Sequence, residues 1–137
     1  MKIYCGTDII EVERIKNAIL NTPKFKEKVF TPTEIAYAES KSDVTKYQHY
    51  AGRFAAKEAI YKSISAIYSH VELGEIEIAN DTSNLNRPIV HIYNEKFINL
   101  AKNFNIDVSI SHIKEYACAN SVATFLQCTR IAFIYIL

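Results

Sequence analysis

GRFAAKEAIYKSI, residues 52–64, decides how this chain is read. The stretch is helical, with alanine at 55, 56 and 59 and no proline to interrupt it. Alanine has the highest helix propensity, and its small side chain lets another backbone come close. The apolar set extends upstream through Tyr47, Tyr50 and Ala51, and includes Phe54, Ala55, Ala59 and Ile60. That is a broad buried face, so the spacing predicts a long helix from a Ser42 or Asp43 cap to about Ile67. Arg53, Lys57, Glu58 and Lys62 are set into this apolar surround. Glu58 and Lys62 are four apart, hence neighbours on one helical face. Two readings stand side by side. One is an ordinary exposed ion pair, which contributes little. The other is a carboxylate that holds a metal while neighbouring cations hold phosphate.

Working outward, Lys2 to Gly6 alternates with Ile3 and Cys5 on one side and reads as a first strand, broken at Gly6-Thr7. Asp8 then stands at the junction of that strand with a helix whose stripe is Ile9, Val12, Ile15 and Ile19. It is either the cap of that helix or a functional carboxylate held by rigid elements. Asn21-Thr22-Pro23 stops the helix, and KFKEKVF follows as a short amphipathic segment. In TPTE, Thr31 is a cap, Pro32 suits the first helical position and Glu34 completes a capping box. The second half alternates in EIEIA (75–79) and IVHIY (89–93), a hairpin across a polar loop. Asn94 caps a helix with Phe97, Ile98, Ala101 and Phe104 as its stripe. IDVSISH and residues 116–125 form the last strand pair, with Ile106, Val108 and Ile110 turned inward. The order predicts a single α+β domain over 1–137, mostly antiparallel sheet with helices on one face, and an apolar C-terminal extension at 126–137.

Composition narrows the function classes. The chain has 137 residues, 49% hydrophobic and 23% charged, and a formal charge of +1, so nothing in it demands nucleic acid or an anionic membrane as partner. Three glycines rule out a glycine-rich phosphate cradle, and no P-loop, G-x-G-x-x-G or H-E-x-x-H occurs. Cys5, Cys118 and Cys128 form no C-x-x-C pair, which fits a reducing, cytoplasmic setting, and Cys5 and Cys118 read as small buried hydrophobes. The N-terminus lacks the features of a signal peptide, and no run has the length of a membrane span. IAFIYIL (131–137) reads as an edge strand or a packed subunit contact rather than a membrane-surface anchor. His112, at a strand tip, is either a hydrogen-bonded structural residue or a phosphate contact or proton acceptor. His49, His70 and His91 have no partner in sequence. Two carboxylates, Asp8 and Glu58, with several Arg and Lys are a minimal kit for a magnesium-bound diphosphate.

Four stretches in order, GTDIIEVERI (6–15), GRFAAKEAIYKSI (52–64), EIEI (75–78) and VSISHIKEYACANSVA (108–123), resemble holo-acyl carrier protein synthases, the small phosphopantetheinyl transferases. The resemblance reaches from the first strand to about Phe125. It implies transfer of the 4′-phosphopantetheine arm of coenzyme A to a serine of apo acyl carrier protein, for fatty acid biosynthesis. The other product is adenosine 3′,5′-bisphosphate. It further implies magnesium on Asp8 and Glu58, with Lys62 stabilising phosphate charge or, less directly, assisting as base. A homotrimer with active sites shared between subunits is implied too. By the same resemblance Arg53 and His112 contact the coenzyme, and Arg14 lies near the carrier-protein surface. Carrier proteins being acidic, Arg14, Lys16, Lys24 and Lys28 would steer the partner. A binding-only module that keeps coenzyme A or the carrier without chemistry is the other class of reading. The chain departs from the family pattern at ELGEIEI and at LNRP, where Asn86 stands in place of a glycine. Asparagine tolerates positive φ better than most residues, so the turn can survive.

Overall fold

The computed structural model describes residues 1–126; the expected apolar segment 131–137 and Cys128 lie outside the described residues. Strand β1 (Lys2–Glu11) leads into α1 (Val12–Asn21), α2 (Phe25–Val29), α3 (Pro32–Glu39) and the long α4 (Lys46–Ile64). A single 3-10 turn (Leu73–Glu75) opens the hairpin β2 (Ile76–Asp81) and β3 (Arg87–Ile92). Helix α5 (Glu95–Leu100) then precedes β4 (Phe104–His112) and β5 (Tyr116–Phe125). The fold is α+β and antiparallel, as expected, but the strands form two sheets: β1-β5-β4 and β2-β3.

Helix α4 is the interior of the molecule. Tyr50, Ala51, Ala55, Ala56, Ala59, Ile60 and Ile64 are all wholly buried. It lies against β1, β5 and β4 and also meets α1, α3 and β2. A helix that is buried nearly all round needs small residues where strands cross it, and the alanines supply them. The helix begins at Lys46, later than the expected cap at Ser42 or Asp43; Ser42 instead closes a turn by accepting from the Thr45 and Lys46 amides. It ends at Ile64, with a further turn to Tyr68.

Strand β1 is longer than its alternation suggested. It runs on through Gly6 and Thr7 to Glu11, because its ladder with β5 continues to Glu11 opposite Tyr116. Asp8 is therefore a mid-strand residue, not a helix cap, and Ile9 belongs to the strand rather than to the α1 stripe. Ten paired residues satisfy the backbone, and that outweighs a local helical period. Gly6, Asp8 and Ile10 face α4, whereas Ile3, Cys5, Thr7 and Ile9 face outward. Cys5 is consequently exposed and Cys118 half-buried, not the core hydrophobes expected. Two other local expectations hold. The Thr31–Glu34 capping box is formed, and Asn94 caps α5 through Phe97 N at 2.9 Å. In the β2–β3 hairpin Asn86 has φ 56°, the left-handed conformation that its glycine-like place requires. Phe104, expected in the α5 stripe, opens β4 and packs edge-on against Phe97 at 5.0 Å. Among the described residues no helix is long and apolar enough to cross a membrane.

The contact between β1 and α4 has no room for a side chain at Gly6. A Cβ there would overlap the Ala59 carbonyl oxygen and reach within 3.0 Å of the Ser63 amide. Both are helix backbone, so neither can step aside. Gly6→Ala should therefore lose about 1–3 kcal/mol, as overpacked cores do, read as a lowered urea midpoint; an unchanged midpoint would contradict this packing.

Candidate active site

Three of the expected residues converge. Asp8 comes from the inner face of β1, Glu58 and Lys62 from α4. The Lys62 ammonium donates to Asp8 Oδ1 at 2.9 Å and to the Thr7 carbonyl at 2.8 Å. Lys62 thus crosses to β1 rather than pairing with Glu58 one turn before it, which removes the simple i,i+4 surface-pair reading. The pair is open to water, with the Lys62 side chain 48% and Asp8 17% exposed. Glu58 makes no ion pair among the described residues. It lines, with Asp8, Arg14, Ala18, Phe25 and Phe54, a cavity of about 410 Å³. Partial burial raises the Glu58 pKa, and the Asp8 charge raises it further, against the opposing pull of Lys62. Asp8 is thus bonded to Lys62, while Glu58 is left without an ion pair among the described residues and feels the Asp8 charge.

Among the described residues no three His, Cys, Asp or Glu side chains gather to make a metal cage. Magnesium of the kind expected takes one or two carboxylates and completes its shell with waters and substrate phosphates. The crowded, incompletely neutralised carboxylates Asp8 and Glu58 fit such an ion.

Arg53 and His112 are also brought together, but elsewhere. They line a separate cavity of about 210 Å³ with Tyr37, His49, Asn80 and Asn86. The Arg53 guanidinium lies 4.0 Å from the centre of the Tyr37 ring and donates to Asn80 Oδ1 at 3.0 Å. Arg53 is only 6% exposed, and among the described residues its Nε has no partner. A buried, unsatisfied guanidinium donor is costly and marks a place for an anion or an acceptor. Burial lowers its pKa. His49, which had no partner in sequence, packs edge-on against His112 at 5.5 Å and against Tyr37 at 5.4 Å. Burial, then the charges of His112 and Arg53, lower its pKa. The spacing of His49 and Arg53, four apart on α4, was the one local signal for it; Tyr37, Asn80 and Asn86 come from distant segments and had none.

Lys57 does not join either cavity. Its side chain is wholly buried and bonded inside the protein, so the reading that made it a phosphate ligand beside Arg53 fails. Arg14 is exposed at the rim of the acidic cavity, whereas Lys16 is engaged by Glu13 at 3.5 Å.

The raised Glu58 pKa has a sign. The folded carboxyl holds its proton more tightly than the unfolded one, so its contribution to stability grows as pH falls and turns to a penalty once it ionises. In metal-free buffer Glu58→Gln should melt higher than the parent at pH 7. The gain should fade as pH falls through the raised value toward the ordinary 4.5. A thermal-shift series from pH 4 to 8 reads this directly.

Residues 4–121 match the model of the 4′-phosphopantetheinyl transferase superfamily. The holo-[acyl-carrier-protein] synthase of Ruminiclostridium cellulolyticum is 46% identical over 126 residues, covering 89% of this chain and 92% of the relative. That of Clostridium beijerinckii is 46% identical over 124 residues, covering 89% and 97%. Among solved structures, the Chronobacterium ammoniagenes ACPS–CoA complex superposes with a TM-score of 0.79 at 27% identity, covering 93% of this chain and 100% of that one. A Bacillus anthracis holo-(acyl-carrier-protein) synthase in complex with CoA (3′,5′-ADP) gives 0.71 at 34% identity, covering 88% and 94%. With Asp8 and Glu58 facing one cleft from two elements, and with these matches running nearly end to end, the chain belongs to the 4′-phosphopantetheinyl transferase superfamily.

Proposed function

We propose that this protein is a magnesium-dependent holo-acyl carrier protein synthase, which moves the 4′-phosphopantetheine group from coenzyme A to a serine of apo acyl carrier protein. The observation that carries the reading is that Asp8 and Glu58, from elements some fifty positions apart, line one cleft, with Lys62 bonded to Asp8 beside it. The serine oxygen forms a bond to the phosphorus on the pantetheine side of the diphosphate. The bond from that phosphorus to the oxygen shared with the adenosine-side phosphate breaks. Adenosine 3′,5′-bisphosphate leaves with the bond's electron pair, and the serine proton is released.

Asp8 and Glu58 would hold a magnesium ion, which when bound would supply positive charge beside the diphosphate. Lys62 is half exposed and already on Asp8, so it reaches the same phosphates and stabilises the charge that builds on their oxygens. Arg53 and His112 bind the coenzyme, with the cavity that both of them line as the support for that role. Arg14, at the mouth of the acidic cleft, meets the acidic carrier protein.

The assembly is a homotrimer of single-domain subunits, in the cytoplasm. Two features support sharing of sites between copies. The acidic cavity and the Arg53–His112 cavity have no lining residue in common. The outward face of the three-stranded sheet carries Ile3, Ile9, Tyr116 and Val122, all 42% exposed or more, an apolar surface suited to contact with another copy.

The test is transfer itself. Incubated with apo carrier protein, coenzyme A and magnesium, the protein should add one phosphopantetheine mass to the carrier, and chelation should stop it. Asp8→Ala and Glu58→Ala should each lower kcat/KM by about a hundredfold or more while the melting temperature barely falls. No mass gain under any metal would favour a module that binds without chemistry; full activity in either variant would overturn the metal assignment.

A further inference from the structure

Lys57 stands next to Glu58 in sequence and makes a different set of contacts. Its ammonium donates to Glu34 Oε2 at 2.6 Å, to the Val29 carbonyl at 2.6 Å and to the Leu73 carbonyl at 3.1 Å. An ammonium has three donors, so all are used and none remains for a ligand. Glu34 is equally committed. Its Oε2 also accepts from the Thr31 amide at 2.8 Å, and its Oε1 accepts from the Ile78 amide at 2.8 Å. Both side chains have no exposure. A buried ion pair is seldom retained for stability, since well-packed apolar residues do as well or better. What it does here that an apolar pair cannot do is fix main-chain groups. Two carbonyls and two amides, from α2, from the start of α3, from the 3-10 turn and from β2, are all held to one point on α4.

Two of those segments, α2 and β2, contribute to the walls of the two cavities. Helix α2 carries Phe25, stacked on Phe54 at 6.4 Å in the acidic cleft. Strand β2 carries Asn80, which holds Arg53. The seam between α2 and the 3-10 turn is tight as well, since a Cβ on Gly74 would stand 2.5 Å from the Lys28 carbonyl. We infer that Lys57 is a positioning residue for the transfer reaction: its buried bonds to Glu34, Val29 and Leu73 fix the α2 and β2 walls against α4, and so set the shape in which both substrates are received. This rests on the reading of the two cavities as substrate sites.

The experiment separates position from stability. The double variant Glu34→Met/Lys57→Met replaces the pair with apolar side chains and should keep most of the parent's thermal stability. Assayed with coenzyme A and apo carrier protein well below its melting temperature, with the fold confirmed by circular dichroism, it should show KM raised about tenfold or more for both substrates and kcat much less affected. Parental KM values in the folded double variant would overturn the inference, because the pair would then serve stability alone. A collapse of kcat at unchanged KM would overturn it too, by placing Lys57 at the reacting atoms. Should the double variant fail to fold, Glu34→Gln, which weakens the pair without emptying it, is read the same way: raised KM values support the inference and parental values overturn it. An inactive parent protein would instead remove the functional reading itself.

Discussion

Everything at the acidic cleft depends on how closely β1 lies on α4. At Gly6 the strand touches helix backbone directly, with the Ala59 carbonyl where a side chain would be. One turn along, Ser63 and Ser121 share a buried hydrogen bond of 3.1 Å, so β5 is drawn onto the same helix. The alanines at 55, 56 and 59 leave the helix surface low enough for both strands. Asp8 is two residues beyond Gly6 and therefore on the same face of the strand. Its distance from α4 is not set by its own side chain but by this backbone contact, which is why a chemically silent glycine belongs with the acid in any account of the site.

Helix α4 then sorts its polar residues by fours. His49, Arg53 and Lys57 follow one stripe, Phe54, Glu58 and Lys62 the next. The first stripe passes into the interior: His49 and Arg53 line one cavity and Lys57 is wholly enclosed. The second opens on the acidic cleft, with Phe54 and Glu58 in its wall and Lys62 reaching Asp8 at its edge. A charged cluster that looks like one feature in sequence is two features about 100° apart around the helix axis. Adjacent residues, Lys57 and Glu58, have opposite work for that reason alone.

The fold was largely legible because its signals are local. The Thr31–Glu34 box, the Asn94 cap, the hairpin and the limits of β5 follow from residues within a few positions of each other. The extent of β1 was not legible, since Gly6-Thr7 looks like a break until a ten-residue partner strand is present to pair with it. The division into two sheets and the exposure of Cys5 depend likewise on non-local pairing. At the candidate site, the motif pointed to Asp8, Glu58 and Lys62, which the fold brings near one another, and to Arg53 and His112, which line one cavity. Lys57 was misread because burial is not a property of a motif. Glu34 was read only as a cap, yet its carboxylate also carries an ion pair and a strand amide.

The same helix therefore holds two acid–base clusters of opposite construction. Around Lys57 every donor and acceptor is matched, water is excluded and one charge answers another, a state that resists change because removing either partner leaves a buried charge unpaired. Around Glu58 the matching is incomplete: among the described residues it has no ion pair, Lys62 is committed to Asp8, and its pKa is raised by burial and by the Asp8 charge. A closed cluster gains nothing from a ligand, whereas an open one gains from any cation that brings further oxygens with it. Binding energy at the open site can be drawn from relief of that repulsion only if its two acids cannot move apart. The rigidity that prevents them from doing so comes from the close contact at Gly6 on one side and from the enclosed pair one residue before Glu58 on the other.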